Sequence, residues 1–103
     1  MVYELWIIPD CPNSAPALAL YRRALAAEGA GGDVRLVELT SDEQAESLRF
    51  HGSPSFIAEG NDLFPSPASP ALACRIYRGH ATFAGMPSQA DLQAAIRSKL
   101  STA

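Results

Sequence analysis

Between Val2 and Glu59 the sequence switches repeatedly between strand-like and helix-like periodicity, and that alternation restricts the possible folds more than any other feature. Val2 to Ile8 is apolar and rich in β-branched and aromatic residues, which predicts a buried strand. From about Ala15 to Glu28, Leu18, Tyr21 and Leu25 recur at helical spacing among alanines that favour helix. Gly29, Gly31 and Gly32 end that helix. Val34 to Leu39 predicts a second strand. Ser41-Asp42-Glu43-Gln44 has the capping-box form and opens a short helix that ends near Phe50, with Gly52 closing it. Ser55 to Glu59, launched by Pro54, predicts a third strand. Such an order specifies an α/β fold, and its first strand–helix–strand unit is expected to be a right-handed parallel crossover.

The second half is less regular. Gly60-Asn61-Asp62 is turn chemistry, with Leu63-Phe64 expected as the returning strand of a tight hairpin. Pro65 to Pro70, with a proline at every second or third position, cannot be a helix or a central strand. The loop from Asn61 to about Leu72 is long for so small a domain, and such loops are often functional. Ala73 to Arg78 predicts a fourth strand. Pairing it back along Ser55 to Glu59 would put Cys74 at the far end from Cys11. If Leu63-Phe64 is the returning strand, the later segment emerges beside Pro54 and Cys11, and the turn chemistry favours this placement. Pro87-Ser88 starts a last helix with Asp91 at the box position, and Leu92, Ala95, Ile96 and Leu100 form its expected buried stripe.

Composition narrows the function classes. A chain of 103 residues fits one domain, and 48% apolar residues suffice for a core without disulfide staples. A net charge of −3 with scattered basic residues gives no electrostatic case for nucleic acid. No apolar run approaches the roughly 20 residues of a membrane helix, so no membrane partner is expected. The opening MVYELWII has neither a basic n-region nor a small-residue cleavage site, so a cytoplasmic location is expected, where thiols are kept reduced. Two cysteines in that setting point to chemistry or metal binding before a structural bridge, although free cysteine also serves as a small buried hydrophobe.

Cys11 follows the first strand and precedes the first helix, where backbone N–H groups and the helix dipole favour a thiolate. It is therefore expected to be more reactive than Cys74. Pro12 suits the first helical position, and Ser14 could donate a hydrogen bond to the sulfur. Asp10 acts against the thiolate by its charge. Pro16 would lose a helical bond if Cys11 were the cap, so Asn13 or Ser14 is the alternative cap, with Cys11 in the loop outside.

The strand ending in Cys11-Pro12-Asn13-Ser14, followed some forty residues later by Gly52-Ser53-Pro54-Ser55, resembles the thioredoxin-like superfamily in a Cys-x-x-Ser variant. The resemblance covers almost the whole chain in its order of elements. It implies a single thioredoxin-like domain over residues 1–103, with a mixed central sheet flanked by helices. It also implies Cys11 as nucleophile, Ser14 where a resolving cysteine often stands, and Pro54 as the cis-proline shaping the surface that receives a partner's sulfur. Pro12, Ser53 and Pro54 would contact that partner. The chain departs from the family at Ser14, so a dithiol cycle cannot run within this motif alone. A monothiol can still attack a disulfide and hold a mixed intermediate, to be resolved by glutathione, another protein thiol or Cys74. Ala73-Cys74-Arg75-Ile76-Tyr77, with Gly85-Met86-Pro87-Ser88, is also similar to small bacterial thioredoxin-like proteins grouped with organomercurial lyases. Lyases of that type use two cysteines and an aspartate, and Ser14 stands where the aspartate would be.

The expected function is thus thiol–disulfide oxidoreduction without a cofactor, on a protein or glutathione-like thiol or disulfide. The alternatives are a non-catalytic thioredoxin-like binding module and a mercury- or soft-metal-handling two-cysteine protein. Cys74 itself could equally be a strand cysteine packed in the core. His51 lies at a helix end and His80 in a glycine-containing turn. With the two cysteines they make a numerical zinc set, but without the short pair spacing of zinc sites, so no metal site is expected.

Overall fold

The computed structural model describes residues 1–30, 32–66, 69–78 and 83–101. Gly31, His80 and the Pro67-Ala68 part of the proline-rich segment lie outside the described residues. Strand β1 (Tyr3–Ile7) leads into helix α1 (Ser14–Ala27), β2 (Val34–Glu38), α2 (Asp42–Leu48), β3 (Ser55–Ala58) and β4 (Asn61–Asp62). A small hairpin of β5 (Tyr77–Arg78) and β6 (Phe83–Ala84) follows, and α3 (Gln89–Ser101) ends the chain. The sheet is mixed, in the order β2-β1-β3-β4. β1 runs parallel to β2 and antiparallel to β3, which is antiparallel to β4.

Alternation along β1 assigns its two faces. Tyr3, Leu5 and Ile7 join Phe56, Ala58 and Val34 in a core with Leu20, Tyr21, Ala24 and Leu25 of α1 and Leu92 and Ile96 of α3. Trp6 faces the other way and packs with Ile57, Leu39, Phe50 and Ala45 of α2. Helices therefore cover both faces of the sheet. Tyr21 anchors the larger core edge-to-face against Tyr3 and Phe56, at centroid distances of 6.1 and 5.1 Å. Its hydroxyl donates to the Ile57 carbonyl at 2.7 Å, which satisfies the phenol in a site whose burial pushes its pKa above the usual tyrosine range.

The capping box forms as the sequence predicts, with Ser41 Oγ accepting from Gln44 N–H and the Gln44 side chain returning to the Ser41 amide. Three expectations need correction. The hairpin turn is Glu59-Gly60, one residue earlier than Gly60-Asn61-Asp62, and its φ values of 51° and 77° are the positive pair that a tight two-residue hairpin takes. Asn61-Asp62 is the returning strand, and only Leu63 N–H, donating to the Phe56 carbonyl, extends the ladder. Ala73 to Arg78 is not a fourth strand of the main sheet: Cys74 makes one isolated parallel bridge to Ser53, and Tyr77-Arg78 pairs with β6 instead. Leu100 is 36% exposed, because at 3.6 residues per turn it lies roughly 80° around the helix from Leu92.

Helix α3 is tied to the end of α1 by charge. Arg97 Nε donates to Glu28 Oε1 at 2.9 Å, and Gln93 Nε2 donates to Glu28 Oε2 at the same distance. The hydrogen bonds from Arg97 and then Gln93 lower the Glu28 pKa from an ordinary 4.5 to about 2. A folded-state pKa below the unfolded one gives stability that is present above pH 4.5 and lost as pH falls toward 2. Glu28→Gln should therefore make the urea midpoint less sensitive to pH within that window than in the wild type. Parallel loss in both proteins would show that the clasp contributes nothing to acid unfolding.

Candidate functional site at one end of the sheet

The Cys11 loop forms where β1 leaves the sheet. Asp10 takes a left-handed conformation with φ 59°, and Cys11 N–H turns back to the Ile8 carbonyl at 3.4 Å. Ser14 N–H donates to the Cys11 carbonyl at 3.2 Å, and Asn13 is the helix cap. Asn13 makes no side-chain capping bond: its backbone, with φ −95° and ψ 1°, is not the extended conformation of a capping residue, and its amide lies beside Gly85, where an added Cβ would come within 2.3 Å of Nδ2. Cys11 is therefore two residues outside the cap, where the helix field has already weakened. Pro12 also precedes the cap and is exposed, instead of occupying the first helical position. Pro16 is the third helical residue, in the turn whose N–H groups lack intrahelical partners anyway, so it costs no helical bond. Ser14 opens the helix half-buried.

The second loop of the site carries Ser53 and Pro54, joined by a cis peptide bond. Both lie beneath the surface of the chain. Ser53 is wholly buried, and its hydroxyl accepts the Ile8 amide at 3.2 Å. Its backbone binds the segment around Cys74 on both sides: Ser53 N–H donates to the Ala73 carbonyl at 2.8 Å, and Arg75 N–H donates to the Ser53 carbonyl at 2.9 Å. A continuous path of hydrogen bonds thus runs from Cys11 through Ile8 and Ser53 to the residues flanking Cys74. Both cysteine-bearing segments sit at the same end of the sheet, as the early hairpin turn requires. Both thiols are free; Cys11 is buried, with 8% of its surface exposed, and Cys74 is exposed. Cys74 is therefore not a core residue.

Segment 74–77 alternates in the opposite sense from its apolar pattern. Cys74 and Ile76 face outward, Ile76 with 70% of its surface exposed, while Arg75 and Tyr77 face inward. The Arg75 guanidinium pairs with Asp62 at 2.6 Å, donates to the Phe64 carbonyl, reaches Ser55 Oγ at 3.3 Å and lies 4.6 Å from the Tyr77 ring centre. Tyr77 donates its hydroxyl to the Pro54 carbonyl. Burial pushes that hydroxyl's pKa above the usual tyrosine range, with the Arg75 charge partly offsetting it. Arg75, Tyr77 and Asp62 hold the Cys74 segment against the Pro54 loop. The sequence reading missed them because an arginine amid apolar residues suggests an outward position.

Comparison with family models, curated proteins and solved structures found no match.

His51, just before this loop, is half-buried, with Nδ1 enclosed and unpaired. It lines a cavity of about 320 Å3 with Trp6, Arg49, Asn61 and Asp62. Among the described residues no three His, Cys, Asp or Glu side chains converge as a metal site, and no helix is long and apolar enough to cross a membrane. What the site does assemble is a pair of thiols, one under the surface and one on it, carried by two loops that meet at Ser53.

Proposed function

We propose that this chain is a thioredoxin-like thiol–disulfide exchange protein whose redox couple is Cys11 and Cys74. The observation that carries the reading is the double role of Ser53, which binds the strand end before Cys11 through its hydroxyl and both neighbours of Cys74 through its backbone. The mixed β2-β1-β3-β4 sheet with helices on both faces supports the thioredoxin-like assignment. Ser14 cannot resolve a mixed disulfide, whereas a distal cysteine held at the same end of the sheet can. Oxidation of the wild type with glutathione disulfide should give a product lacking two hydrogens and carrying no glutathione. Cys74→Ser and Cys11→Ser should each retain a stable glutathione adduct. A wild type that keeps its adduct, with the second thiol still free, would leave a non-catalytic binding module as the better description.

A further inference from the structure

We infer that the order of attack runs from the surface inward: Cys74 takes the external disulfide and Cys11 resolves it. The inference rests on the redox couple proposed above and assigns its two members different tasks. Thiol–disulfide exchange needs the attacking sulfur in line with both sulfurs of the target, so access governs the first step. Cys11 has 8% of its surface exposed, so a disulfide with substituents on both sides reaches it far more slowly than it reaches an exposed thiol. Cys74 is exposed on a segment whose flanks are fixed: Ala73 and Arg75 are bonded to Ser53, and the Arg75 side chain is bonded to Asp62. Ile76 lies on the same outward face with 70% of its surface exposed, so an apolar contact stands beside the thiol. That surface suits a disulfide with apolar substituents, such as a peptide disulfide, better than a strongly charged one.

In the first step the Cys74 thiolate bonds to one sulfur of R–S–S–R, the other sulfur leaves as RS⁻, and RS⁻ takes a proton from solvent. In the second, the Cys11 thiolate bonds to Cys74 Sγ and expels the remaining RS⁻, which also takes a proton from solvent, the two protons being those the Cys74 and Cys11 thiols gave up to solvent on ionising. The two cysteines are oxidised to a disulfide and one external disulfide is reduced to two thiols, with no other reactant.

The test uses the full chain as Cys11→Ser and Cys74→Ser, each leaving one thiol, reacted with an aromatic disulfide that releases a coloured thiol. Both rates are divided by those of the same variants in urea, which removes intrinsic differences between the thiols. Native Cys11→Ser, which retains Cys74, should react close to its unfolded rate. Native Cys74→Ser, which retains Cys11, should be slowed by about tenfold or more by burial. Brief exposure of the wild type to a dipeptide disulfide with apolar side chains, followed by acid quench and peptide mapping, should find the early adduct on Cys74. An early adduct on Cys11, or equal protection of the two thiols, overturns this order while the internal bridge still forms. Failure of the bridge to form at all overturns the couple itself, and the two failures are separately visible.

Discussion

Arg75→Met should cost about 3–5 kcal/mol of folding stability, the scale for breaking a buried ion pair by removing one partner. Arg75 and Asp62 side chains are 8% and 13% exposed, so the carboxylate left behind has little solvent to replace its partner. Methionine fills much of the volume, which separates the electrostatic loss from a cavity effect. The Phe64 carbonyl loses its donor at the same time, and the Tyr77 ring loses the cation above it. Such a cost is a large fraction of the 5–15 kcal/mol typical of a whole domain. Urea denaturation followed by far-UV dichroism measures it. Adding Asp62→Asn should recover part of the loss, because a neutral amide avoids the isolated charge and still offers an acceptor to Phe64 N–H. A single variant within about 1 kcal/mol of wild type would show that water reaches the pair and that the clamp is of the weak, surface kind.

The same residues show where the sequence was legible and where it was not. Elements whose signal is local came through: the Tyr3–Ile7 strand, helix α1 within a residue or two, and the Ser41–Gln44 box all follow from periodicity or capping within a few residues. The parallel pairing of β1 with β2 followed from the helix between them. The segment 74–77 failed because its period is two in either register, and a shift by one residue exchanges the faces. Cys74 is a small apolar residue within an apolar alternation, so a core position is one of its two sequence readings. The deciding partner, Asp62, lies thirteen positions away in the chain and on another strand. The parity shared by Arg75 and Tyr77 was the available signal, since a tyrosine that must be buried carries its i−2 neighbour inward with it. Burial of Cys11 is one of the readings composition offers, and the sequence around it does not decide between them, because burial depends on how its loop packs and not on the helix that follows.

Gly52→Ala should both destabilise the fold and slow closure of the Cys11–Cys74 bridge. Gly52 has φ +115°, which L residues rarely adopt. A Cβ there would meet Arg75 Cβ at 2.8 Å, Arg75 Cα at 3.2 Å and the Ala73 carbonyl oxygen at 3.3 Å. Those atoms flank Cys74 and cannot retreat without stretching the bonds of Ala73 and Arg75 to Ser53. The expected loss is about 3 kcal/mol, at the upper end for a residue forced into an unfavourable backbone region. Gly60→Ala is the matched control. It also carries a positive φ, +77°, but nothing lies within 4 Å of its added Cβ, so only the backbone preference is lost, about 1–2 kcal/mol. The difference between the two variants isolates the contact of the Gly52 loop with the Cys74 segment. If that contact positions the thiol, Gly52→Ala should form the internal disulfide more slowly than Gly60→Ala under conditions where both remain fully folded. Equal stability loss and equal bridge formation in the two variants would mean that the segment adjusts freely and that the Ser53 contacts do not set the position of Cys74.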